Sequence, residues 1–142
     1  MDLLNENEVV DAVAAHLTGL GWSIEQQLHG HQRGVDIVAS GPNGQRLEVE
    51  AKGATSSRPG SRNYRKPMGS SEVRINVAEA FYTAAITAAC DAASLSAMAF
   101  PDDDRHRRYV EPLSEVASAL GVGVFWVSSE REVTLAAPWN PT

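Results

Sequence analysis

The chain has 142 residues, 43% of them hydrophobic and 21% charged, which suits one globular domain over residues 1–142 with a core of useful size. No apolar run nears the roughly 20 residues of a membrane-crossing helix, and Met1-Asp-Leu-Leu-Asn-Glu6 lacks the basic start and apolar centre of a secretory signal, so no membrane partner is expected. The net charge of −6 speaks against a uniformly basic nucleic-acid binder, and the lone cysteine, Cys90, excludes an internal disulfide framework. A reducing cytoplasm is the expected location, with Cys90 a small core residue of an alanine-rich helix.

Residues 4–20 predict an amphipathic helix, because Glu6, Val10, Val13, Leu17 and Leu20 recur at intervals of four and three along one stripe. Asn5 fits its N-cap with Glu8 at the capping-box position, and Gly19 and Gly21 supply the stop. Trp22 to Leu28 reads as a first strand, followed by a loop, His29-Gly-His-Gln-Arg-Gly34. His29 and His31 have no cysteine partners and no helical spacing, which favours a loop role over a metal pair.

The stretch from Gly34 to Lys52 predicts a β-hairpin: two apolar-rich runs flank the turn Gly41-Pro-Asn-Gly44. In the second run Leu47, Val49 and Ala51 fall on one face and Glu48, Glu50 and Lys52 on the other. The hairpin brings Asp36 alongside that charged face.

Residues 53–70 are rich in Gly, Ser, Pro and Arg without apolar period, which predicts a long loop, mobile without a ligand. Ser71 to Ile75 reads as a short extended piece. Asn76 and Glu79 fit the cap of a helix over about 77–92 that is apolar almost all round, as a helix packed on a sheet and covered on its other side would be. Ala93 to Phe100 reads as a buried strand, 104–120 as helical with a kink or a true start at Pro112, and Gly123–Ser128 and Glu132–Ala136 as further strands, with Trp126 in the core. Arg105, His106, Arg107 and Arg108 follow three aspartates and suggest ion pairing at a helix start. The order α-β-β-β-α-β-α-β gives an α/β sandwich with a mixed central sheet.

Charge is distributed unevenly. Residues 53–75 hold Arg58, Arg62, Arg65, Lys66 and Arg74 against Glu72, a local charge of +4 that leaves −10 for the remainder. With Tyr64 interleaved as a stacking ring, the five cations are candidates for phosphate contact, and they directly follow the carboxylate cluster. Mg²⁺ or Mn²⁺ needs only one or two protein carboxylates plus waters and phosphate oxygens, and Asp36 and Glu50 could supply these. Lys52 lies on the Glu50 face, about 7 Å along by strand rise, where an ammonium could offset charge growing on a phosphoryl group. Glu48 could widen the set. Glu6 leads the core-facing stripe of the first helix and could reach the site from above.

Gly-Val-Asp36 followed fourteen residues later by Glu50-Ala51-Lys52 resembles the PD-(D/E)xK motif of the restriction-endonuclease-like superfamily, nearest to its Mrr-like and archaeal Holliday-junction-resolvase-like branch. The likeness covers roughly residues 4–100. It implies an αβββαβ core with an added C-terminal helix and strands. It further implies Asp36 and Glu50 as metal-binding carboxylates, Lys52 as the catalytic lysine, the Ala51 carbonyl as an extra metal ligand and Glu6 as the helix-one acid. Val35 stands where the motif's name has proline, Glu48 is outside the pattern, and the second helix lacks the Gln-x-x-x-Tyr of the RecB-like branch. The resemblance thus implies a metal-dependent DNA endonuclease using direct water attack, in restriction, defence or repair. So small a chain would work as a homodimer or beside a specificity or translocase subunit. The alternatives are an inactive nuclease-like module that binds DNA or protein, and a metal-free structural domain of a larger defence complex.

Overall fold

A computed structural model of the chain describes residues 3–30 and 32–142. Helix α1 (Glu6–Gly19) begins with the expected capping box: Glu8 N–H donates to the Asn5 side chain at 2.9 Å and Asn5 N–H to Glu8 Oε1 at 3.0 Å. Strands β1 (Ser23–Gln27), β2 (Ile37–Ser40) and β3 (Arg46–Ala51) form an antiparallel meander, with a bulge in β1 between Ile24 and Gln26. Helix α2 (Ser70–Cys90) then crosses over to β4 (Ser94–Pro101), parallel to β3. A second crossover, built from α3 (Asp104–Val110), a 3₁₀ turn (Glu111–Leu113) and α4 (Ser114–Ala119), leads to β5 (Val122–Val127), parallel to β4. An antiparallel β6 (Val133–Ala136) closes a six-stranded mixed sheet whose spatial order follows the sequence. None of the helices is long and apolar enough to cross a membrane, among the described residues.

Strand parity sorts the core into two layers. Leu47, Val49 and Ala51 of β3, with Ile37, Ala39, Ala97, Ala99, Phe125 and Val127, face α1 and bury Val9, Val10, Val13 and Leu17. Met98, Phe100, Val122, Val124 and Trp126 face the other way and bury Val73, Val77, Ala80 and Ala84 of α2 with Val110 and Ala117. Two crossovers of the same hand, running in the same direction along a sheet, bring their helices to one face. That face carries α2, α3 and α4, and α1 covers the other alone.

Four expectations need correction. Ser71–Ile75 is helical, not extended: Val73 lies in the same sheet-facing row as Val77, Ala80 and Ala84, so α2 starts at Ser70, capped by Gly69 without a side-chain hydrogen bond. Asn76, expected to cap, instead donates from Nδ2 to Met68 Sδ at 3.2 Å. Cys90 is exposed, since it ends α2 beyond the last sheet-facing turn. The outer face of α2 is uncovered among the described residues, with Ile75, Tyr82 and Ile86 exposed. Pro112 marks a break, where α-helix gives way to a 3₁₀ turn before α4.

Candidate functional site

The hairpin register sets the geometry. Ile37 pairs with Val49, so Asp36 stands across from Glu50 just past the end of β2, on the α2-facing side of the sheet. Beyond β2 the Ala51 N–H has no backbone partner on that side, and it donates to Asp36 Oδ2 at 2.8 Å. Asp36 is buried, and this bond fixes its carboxylate against the end of β3. On a strand the N–H and C=O of one residue face the same neighbour, which turns the Ala51 carbonyl toward Asp36 as well. Lys52 N–H faces the opposite way, to Ala99 O of β4 at 3.0 Å. All of this lies at the carboxyl end of β3, the end of the strands at which open α/β sheets bind ligands.

Glu50 is half-buried beside Asp36, and burial, a hydrogen bond to Asp36 and the Asp36 charge push its carboxyl up to about 8, with Lys52 offsetting part of the effect. Glu6, in the first turn of α1, is raised to about 7 by burial and then by the Asp36 charge, again partly offset by Lys52. The first helix therefore does reach the site. Its approach is made possible by Gly53, where a Cβ would stand 2.3 Å from Glu6 N and 2.5 Å from Asn5 C. Ala54 N–H donates to Leu4 O at 2.7 Å and Asn5 forms a parallel bridge with Thr55, which tie the exit of β3 to the start of α1.

The Lys52 ammonium lies 3.9 Å from Glu79 Oε2 of α2. Sequence reasoning missed Glu79 as a site neighbour by giving it a capping position; its one signal was a charge on an otherwise apolar helix. Glu48 is drawn off by Arg46, 3.3 Å away, and stands apart from the cluster. Glu8 serves the cap and an ion pair with Arg131. His29 bonds Asp11 at 2.6 Å, a loop role as expected, and His31 lies outside the described residues.

A cleft of about 320 Å³ connects Glu6 and Lys52 with Asn7, Arg58, Ser61 and Asn76, so the edge of the carboxylate cluster and Arg58 of the basic loop share one opening. The loop is tied to its surroundings by hydrogen bonds. Ser56 N–H donates to Asn63 O, Lys66 N–H to Asn63 O and Met68 N–H to Ala54 O, and the Asn63 side chain reaches Glu72. Arg62, Arg65 and Lys66 are exposed along it, and Arg74 is exposed in the first turns of α2. Tyr64 is half-buried with the Arg65 guanidinium 5.1 Å from its ring centre, and the pair lines an adjoining cleft of about 540 Å³ with Arg131 and Asn5. The two clefts are separated by Thr55–Ser57, which border both. Of the helix-start arginines, Arg107 pairs with Asp102 at 2.8 Å and lies 4.0 Å over the Trp126 ring, while Arg105 reaches the Met68 carbonyl. Trp126 is buried as expected.

No three His, Cys, Asp or Glu side chains among the described residues are arranged to hold a metal ion by themselves. The donor chemistry nonetheless fits a hard cation that takes two carboxylates and keeps waters: Asp36 and Glu50 with the Ala51 carbonyl are all oxygen ligands. Three half-buried or buried acids meet one ammonium there, and burial first, then Asp36, raises the Glu6 and Glu50 carboxyls. Comparison of the chain with protein-family models, with curated proteins and with solved structures finds no match in any of the three.

Proposed function

We propose that the chain is a divalent-cation-dependent endonuclease of restriction-endonuclease-like fold that hydrolyses DNA phosphodiesters by direct water attack. The observation that carries this reading is the convergence of Glu6, Asp36, Glu50 and Lys52 at the carboxyl end of β3, with Glu6 and Lys52 lining a cleft that also takes in Arg58. The run from α1 to β4 in αβββαβ order, with Asp36 just before β2 and Glu50 on β3, supports it.

Asp36 and Glu50, with the Ala51 carbonyl, would hold Mg²⁺ or Mn²⁺, which when bound supplies Lewis acidity toward water and phosphate. The Ala51 N–H sets the Asp36 carboxylate in place before any ligand arrives. Lys52 donates to a phosphoryl oxygen and offsets the negative charge that grows on it, and Glu79 steadies the ammonium from the side. Glu6, raised to about 7, accepts a proton from the attacking water as its oxygen bonds to phosphorus, the P–O bond to the leaving strand breaks, and the departing oxygen takes a proton from solvent water. Arg58, Arg62, Arg65, Lys66 and Arg74 hold the polyanion, with Tyr64 as a stacking surface.

The test incubates supercoiled plasmid and branched duplexes with Mg²⁺ or Mn²⁺, comparing wild type with Asp36→Ala and Lys52→Ala. Cleavage by wild type and a loss of about 10²-fold or more in both variants, with unchanged circular dichroism, is the expected result. DNA retention by wild type without any cutting would instead make the chain a nucleic-acid-binding module.

A further inference from the structure

The described chain exposes five large hydrophobic residues, Ile75, Tyr82, Ile86, Val116 and Leu120, and all five lie on the α2–α4 side of the sheet. The α1 side exposes none, among the described residues. Three of the five fall on α2, at 52% exposure for Ile75, 68% for Tyr82 and 45% for Ile86. With the exposed Ala78 and Ala89 they form a single stripe diametrically opposite the row Val73, Val77, Ala80 and Ala84 that packs on the sheet.

The stripe is symmetric about its middle. Its steps from Ile75 to Ala89 are three, four, four and three residues. A second α2 laid antiparallel across it matches Ile75 to Ala89, Ala78 to Ile86, and Tyr82 to its own counterpart. Each large side chain then meets a small one, and the tyrosines meet on the two-fold axis. A self-matching patch of this kind is what an isologous two-fold interface requires. The helix dipoles favour the antiparallel arrangement too.

We infer that the outer face of α2 is the interface of a homodimer, in which a second copy of this chain packs antiparallel about Tyr82. The inference stands apart from the nuclease reading, because its evidence and its readouts involve neither metal nor DNA. A pairing centred on two helices, each about 31 Å long, is at the small end of stable interfaces, so a concentration series is the fitting measurement.

Sedimentation of the full chain should show a mass moving from 15.2 kDa to twice that value as concentration rises. Tyr82→Glu, which sets two carboxylates face to face, should hold the chain at the lower mass throughout with an unchanged circular dichroism spectrum. Register and direction are read by oxidative cross-linking. In a Cys90→Ser background Tyr82→Cys should give a covalent dimer. Native Cys90 should give none, because antiparallel copies hold the two sulfurs about 24 Å apart, sixteen residues of helical rise. A monomer up to the limit of solubility, a dimer indifferent to Tyr82→Glu, or efficient cross-linking through Cys90 but not through residue 82 each overturns the proposal. The first of these outcomes would assign the stripe to a different protein.

Discussion

Asp36 illustrates how one side chain can organise a site. Its place across from Glu50 and its bond to the Ala51 N–H hold its charge beside two other acids, whose carboxyls are raised first by their own burial and then by Asp36. The sign of the resulting pH dependence follows directly. In the cation-free protein the folded carboxyls of Glu6 and Glu50 bind protons up to about 7 and about 8, against 4.5 in an unfolded chain. Between those limits the folded state carries the extra protons, so their contribution to stability is full below pH 4.5 and disappears as pH rises through 7 to 8. Urea unfolding at pH 5, 6.5 and 8 should show falling stability. Glu50→Gln should flatten most of the slope and be the more stable protein at pH 8. A wild-type curve that rises across this interval would contradict the arrangement of charges described above. Mg²⁺ should recover stability at pH 8 in wild type and much less in Glu50→Gln.

Among the elements, the junction between α1 and the exit of β3 has least room for change. Gly53→Ala would drive a methyl group into the backbone of Asn5 and Glu6, neither of which is a flexible side-chain tip. A cost of about 1–3 kcal/mol, typical of overpacking, is expected in denaturant unfolding. Cleavage should be lost in step, since Glu6 and Lys52 would no longer share a cleft. The hairpin and its acids could be read from the sequence, because alternating polarity fixes which residues share a strand face and the Gly/Pro/Asn turn fixes the register. The Asn5–Glu8 cap could be read for a similar reason: it is a local pattern of donors and acceptors. The start of α2 could not, since Asn76 and Glu79 imitate a cap while the residue that decides, Val73, helps only by burying itself against a sheet that the local sequence does not reveal. The anchoring of the loop was hidden in the same way. Ala54 at its start bonds Leu4, fifty residues earlier, a partner that only the folded chain brings near.

For the molecule as a whole, segregation of charge outweighs its sum. A chain of net charge −6 should repel a polyanion, yet residues 53–75 carry +4, and one of their cations, Arg58, lines the cleft. DNA affinity, measured with Ca²⁺ to suppress cutting, should therefore fall with salt. Replacing Arg62 or Lys66 by alanine should lower the slope of log K against log salt by about 0.9 for each phosphate that the side chain neutralises. A slope that is flat in wild type would remove the loop from the binding surface. The overall α/β class and mixed sheet were legible from the order of elements, whereas Glu79 beside Lys52 was not, since it depends on how the first crossover lies over the sheet.

The segment after β6 has a temporal consequence. Trp22, buried ahead of β1, donates its indole N–H to the Pro141 carbonyl at 2.7 Å, and Trp139 donates to Gly121 O at 2.9 Å. This tail runs under the end of the sheet remote from the cleft and bonds Trp22, which the ribosome made more than a hundred positions earlier. A nascent chain still missing it has a tryptophan donor waiting in its first layer, so the final clasp of the domain closes only once synthesis has passed Pro141.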